Sequence, residues 1–228
     1  MNEQADWLSL DKNPLESDSP DVWERLVHAV GPASLLVIIR SRMSILMRQR
    51  VGEEDIFQEA LLRAWRDRQQ CQWRGIKAFR SWLLTLIDHC IADAASYAAR
   101  LKRGGGEQPV PFSTLTAGSE SRESAVPQAL VASTTPSRLA VYKEQAAAVE
   151  EALASLPEDL QPVVRFRLIE QLPIEEVAVR LGIGPSAVRH RLYKGAELYR
   201  ARLAAAFTSR FGIAGSDGGA SGADDAST

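Results

Sequence analysis

The run Pro173-Ile-Glu-Glu-Val-Ala-Val-Arg-Leu-Gly-Ile-Gly-Pro-Ser-Ala-Val-Arg-His-Arg-Leu192 carries two apolar stripes at helical spacing on either side of a glycine corner. Val177 and Leu181 form the inner face of a short first helix, with small Ala178 where two helices must approach closely. Gly182 supplies a residue that accepts a positive φ. Ile183 plugs the corner, and Val188 and Leu192 anchor a following helix from inside, with Ser186 placed to cap it. This is the pattern of a helix-turn-helix, whose second helix enters the major groove with its N-terminal side chains toward the base edges. The positions so presented are Ser186, Ala187, Arg189, His190, Tyr193 and Lys194, with Arg191 near phosphate. Arginine pairs bidentately with guanine, while serine and lysine reach bases or phosphates. A helical hairpin that packs without touching DNA is the competing reading; spacing, turn chemistry and basic charge together favour DNA.

Charge along the chain supports a polyanion partner more than the average does. The net charge is -2 with a pI near 6.0. Between Arg63 and Arg103, however, nine basic residues face three acids, and between Gln161 and Arg210 nine face four. Two basic islands in an acidic chain suggest two contacts with phosphate, although solvated helix faces would carry the same charge. Cys71 and Cys90 are too few for a disulfide framework, and neither forms a metal-ligand spacing with His28, His89 or His190. No phosphate-binding glycine motif and no nucleophile–base pair appears, so neither an enzyme nor a cofactor is expected. Met1 to Asp21 has no basic-then-apolar leader pattern, and the apolar run Leu35 to Ile39 is far short of a membrane span. A cytoplasmic protein is expected.

The expected fold is all-α: two small helical domains joined by a flexible linker. Residues 1–21 form an N-terminal extension. The first domain, 22–103, has four helices: Val22 to Val30, Ala33 to Arg50, Glu53 to Arg68, and about Lys77 to Lys102, the last with an inward stripe at three-four spacing. Residues 104–136 are a linker, because 17 of these 33 positions are Gly, Pro, Ser or Thr and cannot bury enough apolar surface to offset ordering entropy. The second domain, 137–206, has helices at Ser137 to Leu156, about Pro157 to Glu170, Pro173 to Leu181, and from the Gly182 turn to about Ala205. Residues 207–228 are expected to be a disordered tail.

Two blocks on either side of the linker then point to a family. Glu54-Asp55-Ile56-Phe57-Gln58-Glu59-Ala60-Leu61-Leu62-Arg63-Ala64-Trp65, followed by Phe79-Arg80-Ser81-Trp82-Leu83, resembles the first conserved domain of extracytoplasmic-function sigma factors of the sigma-70 family. Leu153-Ala154-Ser155-Leu156-Pro157 onward, through the helix-turn-helix, resembles their second. The resemblance covers roughly Val22 to Lys102 and Ser137 to Leu203, in the right order.

It implies a factor that binds core RNA polymerase and directs initiation by recognising minus-35 and minus-10 promoter elements and aiding melting. Asp55, Gln58, Glu59 and Leu62, a second stripe on the third helix, would dock on the clamp helices of the polymerase largest subunit. The flap of the second-largest subunit is a further implied contact, and an anti-sigma protein an implied restraining partner. The loop Gln69 to Gly75 would capture a flipped base, with Gln70, Gln72, Trp73 and Arg74 stacking or hydrogen-bonding; Trp73 reads equally well as a core plug. Lys77, Arg80, Arg100, Lys102 and Arg103 would track phosphates, and Trp82 would pack in the core.

The chain departs from the family at His89 and the Ala-rich Asp93 to Ala99, where an Asn and more arginines are usual. Pro173 stands where a Ser or Thr cap is common, and Ala187 replaces a common Thr. The linker would span roughly 30 Å as a coil and about 110 Å stretched, against roughly 70 Å between promoter elements two helical turns apart. Two rival readings share these residues: a helix-turn-helix regulator acting without polymerase, and a sigma-like module that sequesters a protein. Cys71 reads as a bystander thiol more readily than as a redox sensor.

Overall fold

In the computed structural model the described residues are 13–102 and 135–212, and they are helical, with no strand among them. The α-helices are α1 (Pro20–Ala29), α2 (Pro32–Arg42), α3 (Ile45–Arg48), α4 (Glu53–Arg66), α5 (Ile76–Lys102), α6 (Pro136–Ala154), α7 (Gln161–Val164), α8 (Ile174–Leu181) and α9 (Pro185–Phe211). Short 3-10 turns stand at Pro14–Glu16 and Arg68–Gln70, and a π-helical turn at Arg165–Ile169 follows α7.

Local chemistry sets the boundaries, several of them away from the expected positions. The helix expected over Ala33 to Arg50 is two. Met43 turns extended (φ -80°, ψ 134°), and the Ser44 hydroxyl accepts from the Met47 amide at 3.2 Å to start α3. The helix expected over Pro157 to Glu170 starts only at Gln161, because Pro162 lacks an N–H and is tolerated in a first turn but not an interior. Its last turn is a π-helix, and Gln171 then adopts φ 59° to reverse the chain. Thr135 caps α6 through its hydroxyl, so that helix begins at Pro136 and not at Ser137.

Gly184, not Ser186, stands at the N-cap of α9; Pro185 takes the first helical position and Ser186 lies inside the first turn. The same helix runs on past Ala205 to Phe211. Its last turns are held by the Phe207–Phe211 ring contact at 5.3 Å and by Arg210 on Glu151 at 2.8 Å. Residues 207–211, assigned to a tail, are therefore helix. The rest of that tail, and nearly all of the linker, lie outside the described residues.

Trp23 is the hub of the first half, edge-on to Trp65 at 5.1 Å and to Phe79 at 6.1 Å. Leu15, from the segment read as an extension, is buried in the same core. All five residues Leu35 to Ile39 of α2 are 2% exposed or less. A helix apolar on every side must be covered on every side. One flank of α2 meets α4 and α5, and α6 from the second half meets it as well. One core therefore runs from Leu15 through α2 to Leu139, Ala146, Val149, Leu153 and Tyr199. The helix-turn-helix keeps a small core of its own around Val163, Val177, Ala178 and Val188. The helices expected on either side of the linker are present, and here the two halves pack together with Arg189 exposed and Gln58 half-buried.

Candidate nucleic-acid interface

α8 and α9 meet through the corner the sequence marks. Gly182 adopts φ 63°, ψ 30°, and the Ile183 amide closes onto the Ala178 carbonyl at 3.1 Å. Val177 and Val188 are fully buried, with Ile183, Leu181 and Leu192 packed around them. Behind α9, a Cβ on Gly195 would stand 2.5 Å from a Val164 methyl, so only glycine lets α9 lie this close to α7. This anchoring turns one face of α9 outward. Ser186, Arg189, His190 and Lys194 are exposed, Tyr193 is 75% exposed, and Ala187 and Arg191 flank them half-buried. Ser186, Arg189, His190 and Tyr193 follow one another at three-four spacing, so they share a face. One arginine, a histidine and a phenol on this stripe, with Lys194 exposed beside it, suit a duplex groove at the N-terminal half of a helix.

On α4 the second stripe is only partly available. Asp55 is exposed, and its carboxylate accepts from the Gly52 amide at 3.0 Å, closing the helix N-terminus. Gln58 and Leu62 are half-buried and share its side of the helix. Glu59 is not on this surface. It is 3% exposed and receives Arg63 Nε at 2.9 Å, while Arg63 Nη1 reaches Asp93 on α5 at 2.8 Å. Burial alone would lower the Arg63 pKa, but its hydrogen bonds to Glu59 and Asp93 outweigh that and raise it. Glu59 is thus a structural member of the α4–α5 seam, one turn from Asp55 but rotated toward α5.

The loop after α4 presents Gln70, Gln72 and Arg74 to solvent, with Arg74 donating to the Gln72 side chain at 2.9 Å, and Lys77 is exposed at the start of α5. Trp73 is half-buried, tilted against Phe79 at 6.3 Å, and its indole N–H is buried with no partner. Of its two readings, the plug under the loop describes this conformation. Trp82 packs on Phe79 at 5.8 Å, as expected of a core residue.

Arg80 departs from its expected role. It is 4% exposed and donates to Val30 O at 3.0 Å, Ser34 Oγ at 3.1 Å and Ile169 O at 2.7 Å, so here it reaches no phosphate. Burial, with Arg42 nearby, presses its pKa below the ordinary arginine value, Glu170 acting the other way. Arg100 and Lys102 stand in the last turns of α5, but their side chains, and Arg103 altogether, lie outside the described residues.

Beside the loop lies a recess that sequence reasoning missed. Asp18 pairs with Arg68 at 2.6 Å, Arg68 stacks over Trp65 at 4.1 Å, and Asn13, Glu16 and Gln69 complete the rim of a recess of about 300 Å³. The available signal was Leu15, an apolar residue between an Asn cap and acids, too short a pattern to distinguish from a tail. Cys71 and Cys90 are buried free thiols; burial pushes both up, Cys90 to about 12, which disfavours the reactive thiolate. Among the described residues no group of three His, Cys, Asp or Glu is placed to hold a metal, and no single helix is long and apolar enough to cross a membrane.

Two family models match the chain in the order of these surfaces: sigma-70 region 2 over residues 38–101 and sigma-70 region 4 over residues 146–202. The first runs from within α2 through α4 and the loop to residue 101 of α5; the second begins inside α6 and runs through α7 and α8 to residue 202 of α9. The chain belongs to the sigma-70 family.

Among curated relatives, the sigma factor is similar to the ECF RNA polymerase sigma-E factor of Escherichia coli K12. The two are 28% identical over 143 residues, covering 63% of this chain and 69% of that protein. The sigma-E factor of Salmonella typhimurium LT2 is 27% identical over the same lengths. A probable RNA polymerase sigma factor, RfaY, of Xanthomonas campestris is 27% identical over 158 residues, 69% of this chain and 36% of that protein. The protein is a sigma factor of the extracytoplasmic-function kind: a DNA-binding initiation factor that recognises promoters for RNA polymerase.

Proposed function

We propose that the sigma factor divides promoter recognition between its two halves. The α9 stripe of Ser186, Ala187, Arg189, His190, Tyr193 and Lys194, with Arg191 at the phosphate edge, reads the minus-35 element as duplex. Gln70, Gln72 and Arg74, with Trp73 beneath them and Lys77, Arg100, Lys102 and Arg103 on the backbone, capture an unstacked base at the minus-10 element. Asp55, Gln58 and Leu62 dock on the clamp helices of the polymerase largest subunit, and the second half meets the flap of the second-largest subunit. The residues take no part in bond chemistry; polymerase supplies it, in the cytoplasm.

The observation that carries this reading is the outward face of α9. A short helix and a left-handed glycine corner present it, with Arg189 and Lys194 exposed and both valine anchors fully buried. Extruding a base costs a few kcal/mol, which stacking and pocket hydrogen bonds must offset; the exposed Gln70, Gln72 and Arg74 supply hydrogen-bonding groups for that task.

Reconstitution with core polymerase on promoter templates tests it. The purified factor is expected to direct transcripts from defined start sites. Arg189→Ala should weaken minus-35 binding by about tenfold to a hundredfold, the worth of one bidentate base contact. Gln58→Ala should weaken polymerase binding and leave duplex binding unchanged. A factor that never directs a promoter-specific transcript overturns the proposal.

A further inference from the structure

The loop that receives the minus-10 base is held at both ends, and the two holds differ in origin. At its far end Cys71 is buried and Trp73 tilts against Phe79 of α5. At its near end stands the turn Arg68–Gln70, just past the end of α4. There the hold comes from a residue 50 positions earlier in the chain.

Arg68 is fully committed. Its Nη1 donates to the Trp65 carbonyl at 2.8 Å, in the last turn of α4, where a helix runs out of amide partners. Its guanidinium lies over the Trp65 ring at 4.1 Å, and Nη2 donates to the Asp18 carboxylate at 2.6 Å. An exposed ion pair is worth little by itself, and the Asp18 side chain is 82% exposed. Its backbone, however, is pinned on both sides. Before it, Leu15 is buried in the core, and the Asn13 side chain accepts from the Leu15 amide at 3.1 Å and donates to Glu16 at 3.0 Å. After it, the Ser17 hydroxyl accepts from the Ser19 amide at 3.2 Å, and α1 starts at Pro20, carrying Trp23 edge-on to Trp65. Asp18 is a fixed post to which Arg68 is tied. The two residues also line the recess beside Asn13, Glu16 and Gln69, so their ion pair bridges a gap that packing leaves open.

We propose that Asp18 and Arg68 are positioning residues for minus-10 recognition: the segment Asn13–Asp18 is a strap that fixes the Arg68–Gln70 turn, so that Gln70 and Gln72 stand in place before a base arrives. The inference rests on the minus-10 reading above. Untied, the turn must be ordered at the moment of capture, which costs affinity without removing any group that touches DNA.

In the test, holoenzyme formed from the full chain and core polymerase is titrated with a non-template minus-10 strand. The strand comes from a promoter mapped with the unaltered factor and carries 2-aminopurine at the captured base. Asp18→Ala is expected to weaken binding of that strand by roughly twofold to tenfold, the scale of ordering one side chain. Asp18→Asn keeps an acceptor and should retain most of the affinity. Arg68→Ala should weaken binding at least as much as Asp18→Ala. Adding Asp18→Ala to Arg68→Ala should cost nothing further, because the two act through one contact. Minus-35 duplex affinity, polymerase affinity and the unfolding midpoint of Asp18→Ala should match the unaltered factor; a general loss of structure would move all three.

Equal strand binding by Asp18→Ala and the unaltered factor, a further loss in the double variant, or a parallel loss of minus-35 affinity overturns the strap alone. An unaltered holoenzyme that binds the minus-10 strand no better than a scrambled one overturns the minus-10 reading, and the role of the strap with it.

Discussion

Glu59 and Arg63 stand one helical turn apart on α4, and their environments differ from those of the residues beside them. Glu59 is 3% exposed and paired, whereas Asp55 faces solvent. Breaking a buried pair leaves the partner uncompensated, at a cost of about 3–5 kcal/mol; Asp93 keeps a hold on Arg63 and softens that. Glu59→Ala is therefore expected to destabilise the fold by about 2–4 kcal/mol in urea unfolding. Polymerase affinity should be unchanged at temperatures where the variant is folded; a loss of affinity without a loss of stability would return Glu59 to the docking face. In the sequence Glu59 is indistinguishable from Asp55 and Gln58, since all three are polar and on one broad side of the helix. What separates them is the reach of Arg63 toward Asp93, a residue 30 positions away. Arg80 makes the same point: its charge suggested phosphate, and only carbonyls from Val30 and Ile169 explain why it is inside.

At the scale of elements, the helix-turn-helix was the most legible part of the chain. Its signals are local: two valine anchors, a small residue at the crossing and a glycine with the required left-handed conformation. Nothing lies within 4 Å of a Cβ built on Gly182, so a substitution there meets only backbone strain. Gly182→Ala is expected to cost about 1–2 kcal/mol, and Gly182→Asn less, because Asn tolerates this region. Thermal unfolding of both variants checks the order, and Ala equal to or better than Asn would contradict it. Boundaries were less legible where proline and capping hydroxyls compete with apolar periodicity. The break at Met43–Ser44 and the late start of α7 at Gln161 both follow from such residues, whose effect apolar periodicity does not register. Helix α9 outruns its expected end because Arg210 finds Glu151 on α6, a partner 59 residues away.

For the whole molecule, the packing of the two halves carries a pH dependence through Glu54 and Lys143. Burial is the largest influence on Glu54 and acts to raise its pKa, but the Lys143 hydrogen bond, its own backbone hydrogen bond and the Lys143 charge together bring it below the ordinary 4.5. Lys143 is raised, first by its hydrogen bond to Glu54. A depressed carboxyl stabilises the folded form above its ordinary pKa and loses that contribution as pH falls through the folded value. The raised amine contributes below the ordinary 10.5 and loses its share as pH rises through its folded value. Stabilisation by this pair is thus fullest across the neutral range. Acidification through the carboxylate range is expected to lower the midpoint of urea unfolding, with a smaller change in Glu54→Gln; an equal change in both would assign the acid response to other groups.

The sequence by itself determined the all-α class, the order of the two family blocks, the glycine corner and the outward face of α9, because each depends on residues within a turn or two of one another. Tertiary structure alone decided which charges face solvent, that Leu15 belongs to the core, and that α6 covers α2. Those outcomes depend on pairs 30 to 89 residues apart, Arg63 with Asp93 and Arg80 with Ile169 at the extremes. Helical periodicity records that a face is buried and is silent on what buries it.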